Sequence, residues 1–599
     1  MSLKNALAPF GIWARALARP YTIPVEDIMR APADRYRGWH TNDAEACIGC
    51  GSCSDICQNA AIDMVVNRDA TKGDTGLRPM VDYGRCCWCA LCVDVCPSGS
   101  LGLSSEYTWV DKDPEVFRYV PGVDKKPWDD DTKGWHGGEW DLINHDRVPM
   151  SMLPGETRGQ TWAEVVLGYS EEEAQREAAR CLECGICTAA CPAHMHIPEY
   201  IGAIRDGNYE QAVNLIYETN PMPEMCGKVC TRRCEDVCAH AKQGEPVAIR
   251  WLKRFATERF DDLREVIKAD VAPIGVGKRV AVIGGGPSGI TVAYYLAIRG
   301  FEVNLYEALP TLGGATFFGI PKYRFPMPSL EKQVDMLRGA GVKLHVNSPV
   351  DAALFEELRS THDAVFIGAG LMRGKAMRVE GEDAPGVVNA LTFLLEHHLR
   401  NNTDSDKVSK EPVVLPGMKV AVVGGGNTAI DAARVSLRLG ASEVVISYRR
   451  RKEDMPADWE EIEDAEHENI QIDVQAIPLR IEQTPDGRLD LIWGPAEMVA
   501  DKPGARPKPV LVEGVENHLV VDRIIGAIGQ GPNLRWLSPE AQGTIADKWG
   551  WIKVNEDGMT GMPGVFAGGD LVNETADAIS AIADGLRVVQ GIPRWLGLQ

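Results

Sequence analysis

The chain carries 17 cysteines, all between Cys47 and Cys238, and nearly all fall into four short rows. Cys47, Cys50, Cys53 and Cys57 follow the spacing C-x2-C-x2-C-x3-C, and Cys86, Cys89, Cys92 and Cys96 repeat it and end on Pro97. Cys181, Cys184, Cys187 and Cys191 form a third row, again closed by a proline. Cys226, Cys230, Cys234 and Cys238 form the fourth. Thiols at this density, with no export signal expected, point to metal rather than to disulfides. A [4Fe–4S] cubane takes four thiolates at its iron corners, and three from one tight loop can wrap it while the next turn carries the fourth away. Structural zinc pairs two short knuckles and fits complete four-cysteine rows poorly. The run from Cys86 to Cys96 holds one cysteine too many; the C-x2-C frame leaves over Cys87, expected to pack as a small buried residue or to lie beside a cluster.

A second kind of chemistry lies beyond the last cysteine. A strand expected over Arg279 to Ile283 leads into Gly284, Gly286 and Gly289, a helix, a second strand, and Glu307 at its end. Such glycines permit a tight turn and close approach of a pyrophosphate to the helix N-terminus, and the acid accepts from ribose hydroxyls. A second copy has Gly424, Gly426 and Ala429, with Asn427 and Thr428 in its turn. Its second strand ends in Tyr448-Arg449-Arg450-Arg451 instead of an acid. An acid there repels a 2′-phosphate, whereas Arg449 and Arg450 would grip one, so this site is expected to prefer NADP(H); the bland alternative is a solvated basic turn. Two such units imply two dinucleotides facing one another, FAD on the first and the nicotinamide nucleotide on the second.

These residues need several domains to hold them, and 599 residues supply three to five. The expected plan is multidomain α/β, with a 2[4Fe–4S] ferredoxin-like domain over 1–104 and a linker over 105–150. An all-helical iron–sulfur domain follows over 151–270, opened by the Ser170–Glu173 capping box. An FAD domain is split over 271–415 and 531–599 around an NADP(H)-binding domain at 416–530. The linker text is rich in Pro, Gly, Asp and Trp; Trp109, Trp128, Trp135 and Trp140 suggest a strap packed on a surface, with a mobile tether as the alternative. No run of eighteen apolar residues is present, so no membrane span is expected. The opening residues, with Lys4, Arg15 and Arg19, show no cleavage site after a hydrophobic core; a short surface helix docking on a partner is expected there, in a cytoplasmic protein. A net charge of −22 argues against nucleic acid and leaves solubility, or guidance of a basic partner protein, as its role.

The first two rows resemble the bacterial two-cluster ferredoxin run. The resemblance implies crossed ligation, one cluster on Cys47, Cys50, Cys53 and Cys96 and the other on Cys86, Cys89, Cys92 and Cys57. Gln58 departs from the usual proline after Cys57, which should alter the local turn and leave ligation intact. The stretch Arg35-Tyr36-Arg37-Gly38 before the first row is similar to the entry of the ferredoxin-like subunit of respiratory complex I, which implies a docked electron wire. From about residue 155 onward the chain resembles the glutamate synthase small-subunit family, which includes the N-terminal part of dihydropyrimidine dehydrogenase and the larger subunit of NADH-dependent ferredoxin:NADP oxidoreductase. That likeness implies one cluster on Cys181, Cys184, Cys187 and Cys238, and another on Cys191, Cys230, Cys234 and a fourth residue. The family's position for it falls on Lys253, which cannot ligate as an ammonium; Cys226 is the alternative, as a ligand or as a buried structural thiol. Gly313-Gly314 with Gly319-Ile320-Pro321 looks like the family's flavin-side loop. Gly529, in Ala527-Ile528-Gly529-Gln530, resembles the return from the nucleotide domain. Gly569 and Asp570 resemble the closing FAD motif, with Asp570 at the ribityl-pyrophosphate region.

Together these readings imply FAD, four [4Fe–4S] clusters and NADP(H) as substrate. The expected role is an electron-transfer subunit of a larger oxidoreductase, linking NADP(H) to a low-potential partner such as a 2-oxoacid:ferredoxin-type enzyme, or to ferredoxin. A glutamate synthase small subunit and an electron-bifurcating NADH-dependent ferredoxin:NADP oxidoreductase component are the alternatives. No protein nucleophile or acid–base pair is required, so no catalytic side chain is expected.

Overall fold

A computed structural model of the chain describes residues 36–106, 113–124, 146–242, 244–268, 271–402, 412–500, 507–573 and 575–598, together with Ala33, Trp109 and Asp111. The expected N-terminal docking helix, Arg35 and most of the stretch expected as a linker, including Trp128, Trp135 and Trp140, lie outside the described residues. The chain divides into two units, 1–144 and 145–599.

In the first unit, β1 (His40–Asn42), β2 (Ile62–Val66), β3 (Leu77–Asp82), β4 (Leu101–Leu103) and β5 (Arg118–Tyr119) are short. β1 pairs antiparallel with β4, and β2, β3 and β5 form an antiparallel sheet. Each cysteine row contains a single turn of helix, Ser52–Asp55 or Leu91–Asp94, which carries the row's third cysteine and is entered through a left-handed residue, Gly51 or Ala90. After Cys57 the turn is closed by Ala60 N–H donating to Cys57 O at 3.0 Å, with Ala60 left-handed, where the second row places Gly99. The turn is therefore kept without the proline. The front of the expected linker is structural: β5 extends the sheet on β3, and Trp109 packs on Trp39, Tyr83, Phe117 and Tyr119. The reason is aromatic burial, which periodicity does not reveal. Cys87 is exposed, which corrects the expectation of a buried residue.

The second unit begins with helices. Glu171–Ala178 starts at Ser170, whose side chain accepts from Glu173 N–H while the Glu173 carboxylate accepts from Ser170 N–H. Helix Pro223–Val229 packs on helix Ile249–Glu258 closely enough that a Cβ on Gly227 would meet Arg254 Cα at 2.8 Å. Two doubly wound sheets follow. The first contains β6 (Arg279–Ile283), β7 (Glu302–Tyr306), β8 (Lys343–His345) and β9 (Ala364–Ile367). A small antiparallel bridge, β10 (Arg373–Gly374), leads to the second, made by β11 (Val387–Asn389), β12 (Lys419–Val423), β13 (Glu443–Tyr448) and β14 (Gln471–Val474). An antiparallel flap of β15 (Ala476–Gln483), β16 (Leu489–Val499), β17 (Lys508–Leu511) and β18 (Asn517–Val521) precedes β19 (Arg523–Gly526), which returns to the second sheet. β20 (Gln530–Gly531) closes the bridge on β10, and β21 (Val565–Ala567) joins the first sheet beside β9. The first Rossmann unit is thus interrupted by the second, and Leu, Val and Ile of the central parallel strands β6, β9, β12 and β13 are buried. Among the described residues no helix is long and apolar enough to cross a membrane.

Candidate functional site

Both glycine motifs sit at the carboxyl ends of their first strands, where open α/β sheets bind ligands. Gly284 has φ 103°, and a Cβ there would meet Gly368 O at 2.4 Å. Gly289 allows the helix Pro287–Ile298 to sit on the strand, since its Cβ would meet Gly284 O at 1.9 Å. Gly286 is different: its Cβ would point into open space, with only Gly314 Cα nearby at 3.9 Å. The middle glycine therefore keeps room for a ligand, not for packing. Gly424 and Gly426 repeat the pattern, the first tight against Ala527 O at 2.2 Å and the second open.

A single cavity of about 450 Å³ joins these parts. Gly286, Glu307, Gly314 and Asp570 line it from the first Rossmann unit, and Asn427, Thr428 and Asp431 from the second. Val229, Cys230 and Thr231 of the cysteine-rich helices form another wall. The size suits a bound organic cofactor. Gly313, with φ 110°, and Gly314, with φ 53°, shape the turn opposite Gly286. Gly569, with φ 75°, presents Asp570 to the cavity, and its amide donates to Asp584 Oδ2 at 3.0 Å. Gly529 lies apart from this wall, in the turn before β20, with φ 104°. Glu307 is buried and accepts from Gly285 N–H and Leu309 N–H, each at 2.8 Å. Burial raises its pKa, and those amides oppose the rise. Burial, followed by Asp577 and Asp584, raises Asp570 to about 6.

The three arginines after β13 differ. Arg449 is exposed and has no hydrogen bond or ion pair among the described residues. Arg450 is half-buried, with its Nε unpaired. Arg451 is engaged, 3.0 Å from Asp454 Oδ2. Arg449 is thus the guanidinium at liberty to meet an anion.

The thiols gather in four groups. Cys47, Cys50, Cys53 and Cys96 line one cavity, and Cys181, Cys184, Cys187 and Cys238 another. Cys57 and Cys89 act electrostatically on Cys86, and Cys86 and Cys89 on Cys92. Burial pushes Cys92 up to about 12. Against burial, hydrogen bonds from the Leu101 and Ser100 amides and the Ser100 and Ser98 hydroxyls hold Cys96 down to about 6, so it is prepared as a thiolate. The fourth group surrounds Lys253. This lysine is buried, and its ammonium has no hydrogen bond or ion pair among the described residues. Burial lowers its pKa, but Cys230, Cys226, Cys234 and Cys191 more than offset that. Cys226 is fully buried, one helical turn before Cys230. Among the described residues no three His, Cys, Asp or Glu are arranged to hold a single metal ion. A cubane spreads its ligands more widely than one ion does, and thiols grouped in this way suit iron–sulfur clusters.

Sequence reasoning did not single out Asp431, Arg324 or Thr231 on the cavity wall, nor Arg232, whose guanidinium pairs with Asp458 at 2.5 Å and with Glu460. Two arginines inside a cysteine row are a visible anomaly, but their partners lie more than two hundred residues away.

One doubly wound nucleotide-binding unit split around a second, together with rows of thiols at cluster spacing, marks an NADPH-dependent electron-transfer oxidoreductase with iron–sulfur clusters. The comparisons agree. Residues 46–100 match the 4Fe-4S dicluster domain, 158–264 the 4Fe-4S domain II of dihydropyrimidine dehydrogenase, and 278–585 the pyridine nucleotide-disulphide oxidoreductase family. The NADP(+)-dependent formate dehydrogenase subunit beta of Moorella thermoacetica is 30% identical over 96% of this chain and 81% of its own. The glutamate synthase [NADPH] small chain of Escherichia coli (strain K12) is 31% identical over 76% of this chain and 98% of its own. The NADPH-Fe(3+) oxidoreductase subunit beta of Geobacter sulfurreducens (strain DL-1 / KN400) is 34% identical over 68% and 63%. The chain belongs to the pyridine nucleotide-disulphide oxidoreductase family, within the iron–sulfur group that includes the glutamate synthase small chains. It has no cysteine beyond Cys238, so the matched region carries no redox-active disulfide of its own.

Proposed function

We propose that this chain passes electrons between NADP(H) and a low-potential partner enzyme, with FAD in the shared cavity and four [4Fe–4S] clusters. The observation that carries this is the cavity wall: Gly286, Asn427 and Cys230 face one space. A ligand on the first glycine motif therefore lies between a nicotinamide site and a cluster thiolate. Flavin supplies exchange between two-electron hydride chemistry and the one-electron steps of clusters. The protein's own residues position and insulate. Gly284, Gly286 and Gly289 hold the pyrophosphate, Glu307 the ribose, and Gly313, Gly314, Gly569 and Asp570 enclose the flavin. Gly424, Gly426, Asn427 and Thr428 seat NADP(H), Arg449 and Arg450 take the 2′-phosphate, and Gly529 turns the chain back.

Cys191, Cys226, Cys230 and Cys234 hold the cluster next to the flavin, with Lys253 as a buried counter-cation. Cys181, Cys184, Cys187 and Cys238 hold its neighbour. Cys47, Cys50, Cys53 and Cys96 hold one ferredoxin-type cluster, and Cys57, Cys86, Cys89 and Cys92 the other. The partner is the catalytic subunit of a strongly reducing oxidoreductase; 2-oxoacid:ferredoxin-type and formate-oxidising enzymes share that chemistry. A glutamate synthase role is favoured less, because the small chain covers only 76% of this chain.

Anaerobic NADPH is expected to bleach the flavin absorbance of the holoprotein, and absence of bleaching overturns the reading. Cys89→Ser is expected to remove one ferredoxin-type cluster while bleaching survives. Gentle anaerobic isolation from the native cell identifies the partner; a large glutamate synthase subunit there would displace the low-potential enzymes.

A further inference from the structure

His40, on β1, stands behind the second cysteine row. Its Nε2 lies 3.4 Å from Cys92 Sγ, and the residue is only 4% exposed. Its Nδ1 lies 3.3 Å from the Tyr83 hydroxyl oxygen, and its backbone N–H donates to that same oxygen at 2.8 Å. A phenol has one proton to give. A cluster-ligating thiolate can only accept, so the imidazole nitrogen facing Cys92 is the donor, and Nδ1 is left to accept the Tyr83 proton. A neutral imidazole carries one donor and one acceptor nitrogen. With Nδ1 accepting, the ring proton resides on Nε2 and is aimed at Cys92.

The corresponding cysteine of the first row has no such neighbour. Cys53 Sγ lies 3.8 Å from Met64 Sδ, and a thioether has no proton to donate. Of these two ferredoxin-type rows, and among the described residues, the second carries the histidine contact.

We propose that His40 is a positioning residue that donates an N–H···S hydrogen bond to the Cys92 thiolate, with its tautomer fixed by Tyr83, and so raises the reduction potential of the cluster held by Cys57, Cys86, Cys89 and Cys92. One-electron reduction adds negative charge that is shared with the cysteine sulfurs. A hydrogen-bond donor on one sulfur stabilises the reduced form more than the oxidised form. The inference rests on Cys92 being a cluster ligand.

The test is an anaerobic potentiometric titration of the holoprotein followed by EPR, with iron content measured alongside. His40→Phe is expected to keep its iron and to make one cluster harder to reduce, by about tenfold in the one-electron equilibrium, or ~59 mV. Tyr83→Phe keeps the imidazole but frees its tautomer, so the same cluster moves in the same direction by less. Unchanged or raised potentials in both variants, with iron intact, overturn the proposal. If His40→Phe fails to load the cluster, the Tyr83→Phe titration decides. Cys92→Ser separates the two readings: full iron and unaltered EPR signals there would reject the ligand assignment itself.

Discussion

Arg232 Nη2 lies 2.5 Å from Asp458 Oδ1, joining the fourth cysteine row to the nicotinamide-nucleotide unit. Asp458 in turn donates its backbone N–H to Asn427 Oδ1 at 2.8 Å. A short bonded path thus runs from Arg232, midway between Cys230 and Cys234, to the second glycine motif. Trp459 lies under the Arg232 guanidinium, 5.4 Å from ring centroid to charge, and Glu460 is shared with Arg250. The Arg232 side chain is 6% exposed, so its charge is largely withdrawn from water.

Arg232→Met leaves the Asp458 carboxylate without its main partner in a partly buried place. Breaking such a pair from one side costs about 3 kcal/mol. The expected result is a lower denaturant midpoint for the holoprotein, whereas Arg233→Met, which removes an exposed guanidinium paired with Asp577, should shift it far less. Equal shifts would show that burial of Arg232 carries no special energy.

Arg449→Ala should raise KM for NADPH by roughly tenfold to a hundredfold, the worth of one to two charged hydrogen bonds, and leave KM for NADH nearly unchanged. Arg451→Ala should matter much less, because Arg451 is already held by Asp454. Steady-state kinetics with both nucleotides would sink the 2′-phosphate role if the two KM values rose together.

Cys226→Ala is expected to lose one cluster's worth of iron, since the group around Lys253 then offers only three thiolates. Lys253→Met is expected to keep four thiolates but to leave them without a buried cation, so the cluster becomes harder to reduce. Iron analysis and redox titration read the two effects separately. Full iron in Cys226→Ala would return Cys226 to the role of a buried structural thiol.

Asp570 gives the flavin-free protein a defined pH response. Its folded pKa is raised to about 6, against 3.8 ordinarily. Between those values the folded state keeps a proton that the unfolded chain has released, so stability falls as pH rises through the window and stays lower above it. The cost at neutral pH is on the order of 3 kcal/mol. Asp570→Asn should therefore stabilise the flavin-free protein near pH 7.5 and scarcely affect it near pH 4, while weakening flavin retention. Denaturation midpoints at the two pH values check the sign; a mutant less stable than the parent near neutral pH would contradict it.

The doubly wound units were legible because their signals are local. Arg279–Ile283, three glycines and Glu307 occupy one short stretch, and the strand, turn and helix that they specify form from neighbours in sequence. The same is true of the Ser170–Glu173 capping box. The strand β5 and the packing of Trp109 were not legible, because an aromatic residue in a Pro- and Gly-rich stretch does not name its neighbours. Nor could the row Tyr448-Arg449-Arg450-Arg451 say which arginine is at liberty, since the partner of Arg451 is chosen by a turn.

By itself the sequence determined the chemistry available: thiols at cluster spacing, two glycine turns for pyrophosphates, and arginines in place of an acid. Spacing of a few residues fixes which groups can share one loop, and that is a property of the covalent chain. Only the tertiary structure decided which distant groups meet. It brought Cys230 to the wall shared by Gly286 and Asn427, buried Lys253 among four thiols, and set the His40 ring against Cys92 with Tyr83 behind it. Those meetings depend on how helices and sheets pack to bury their apolar faces, and packing joins residues without regard to their separation along the chain.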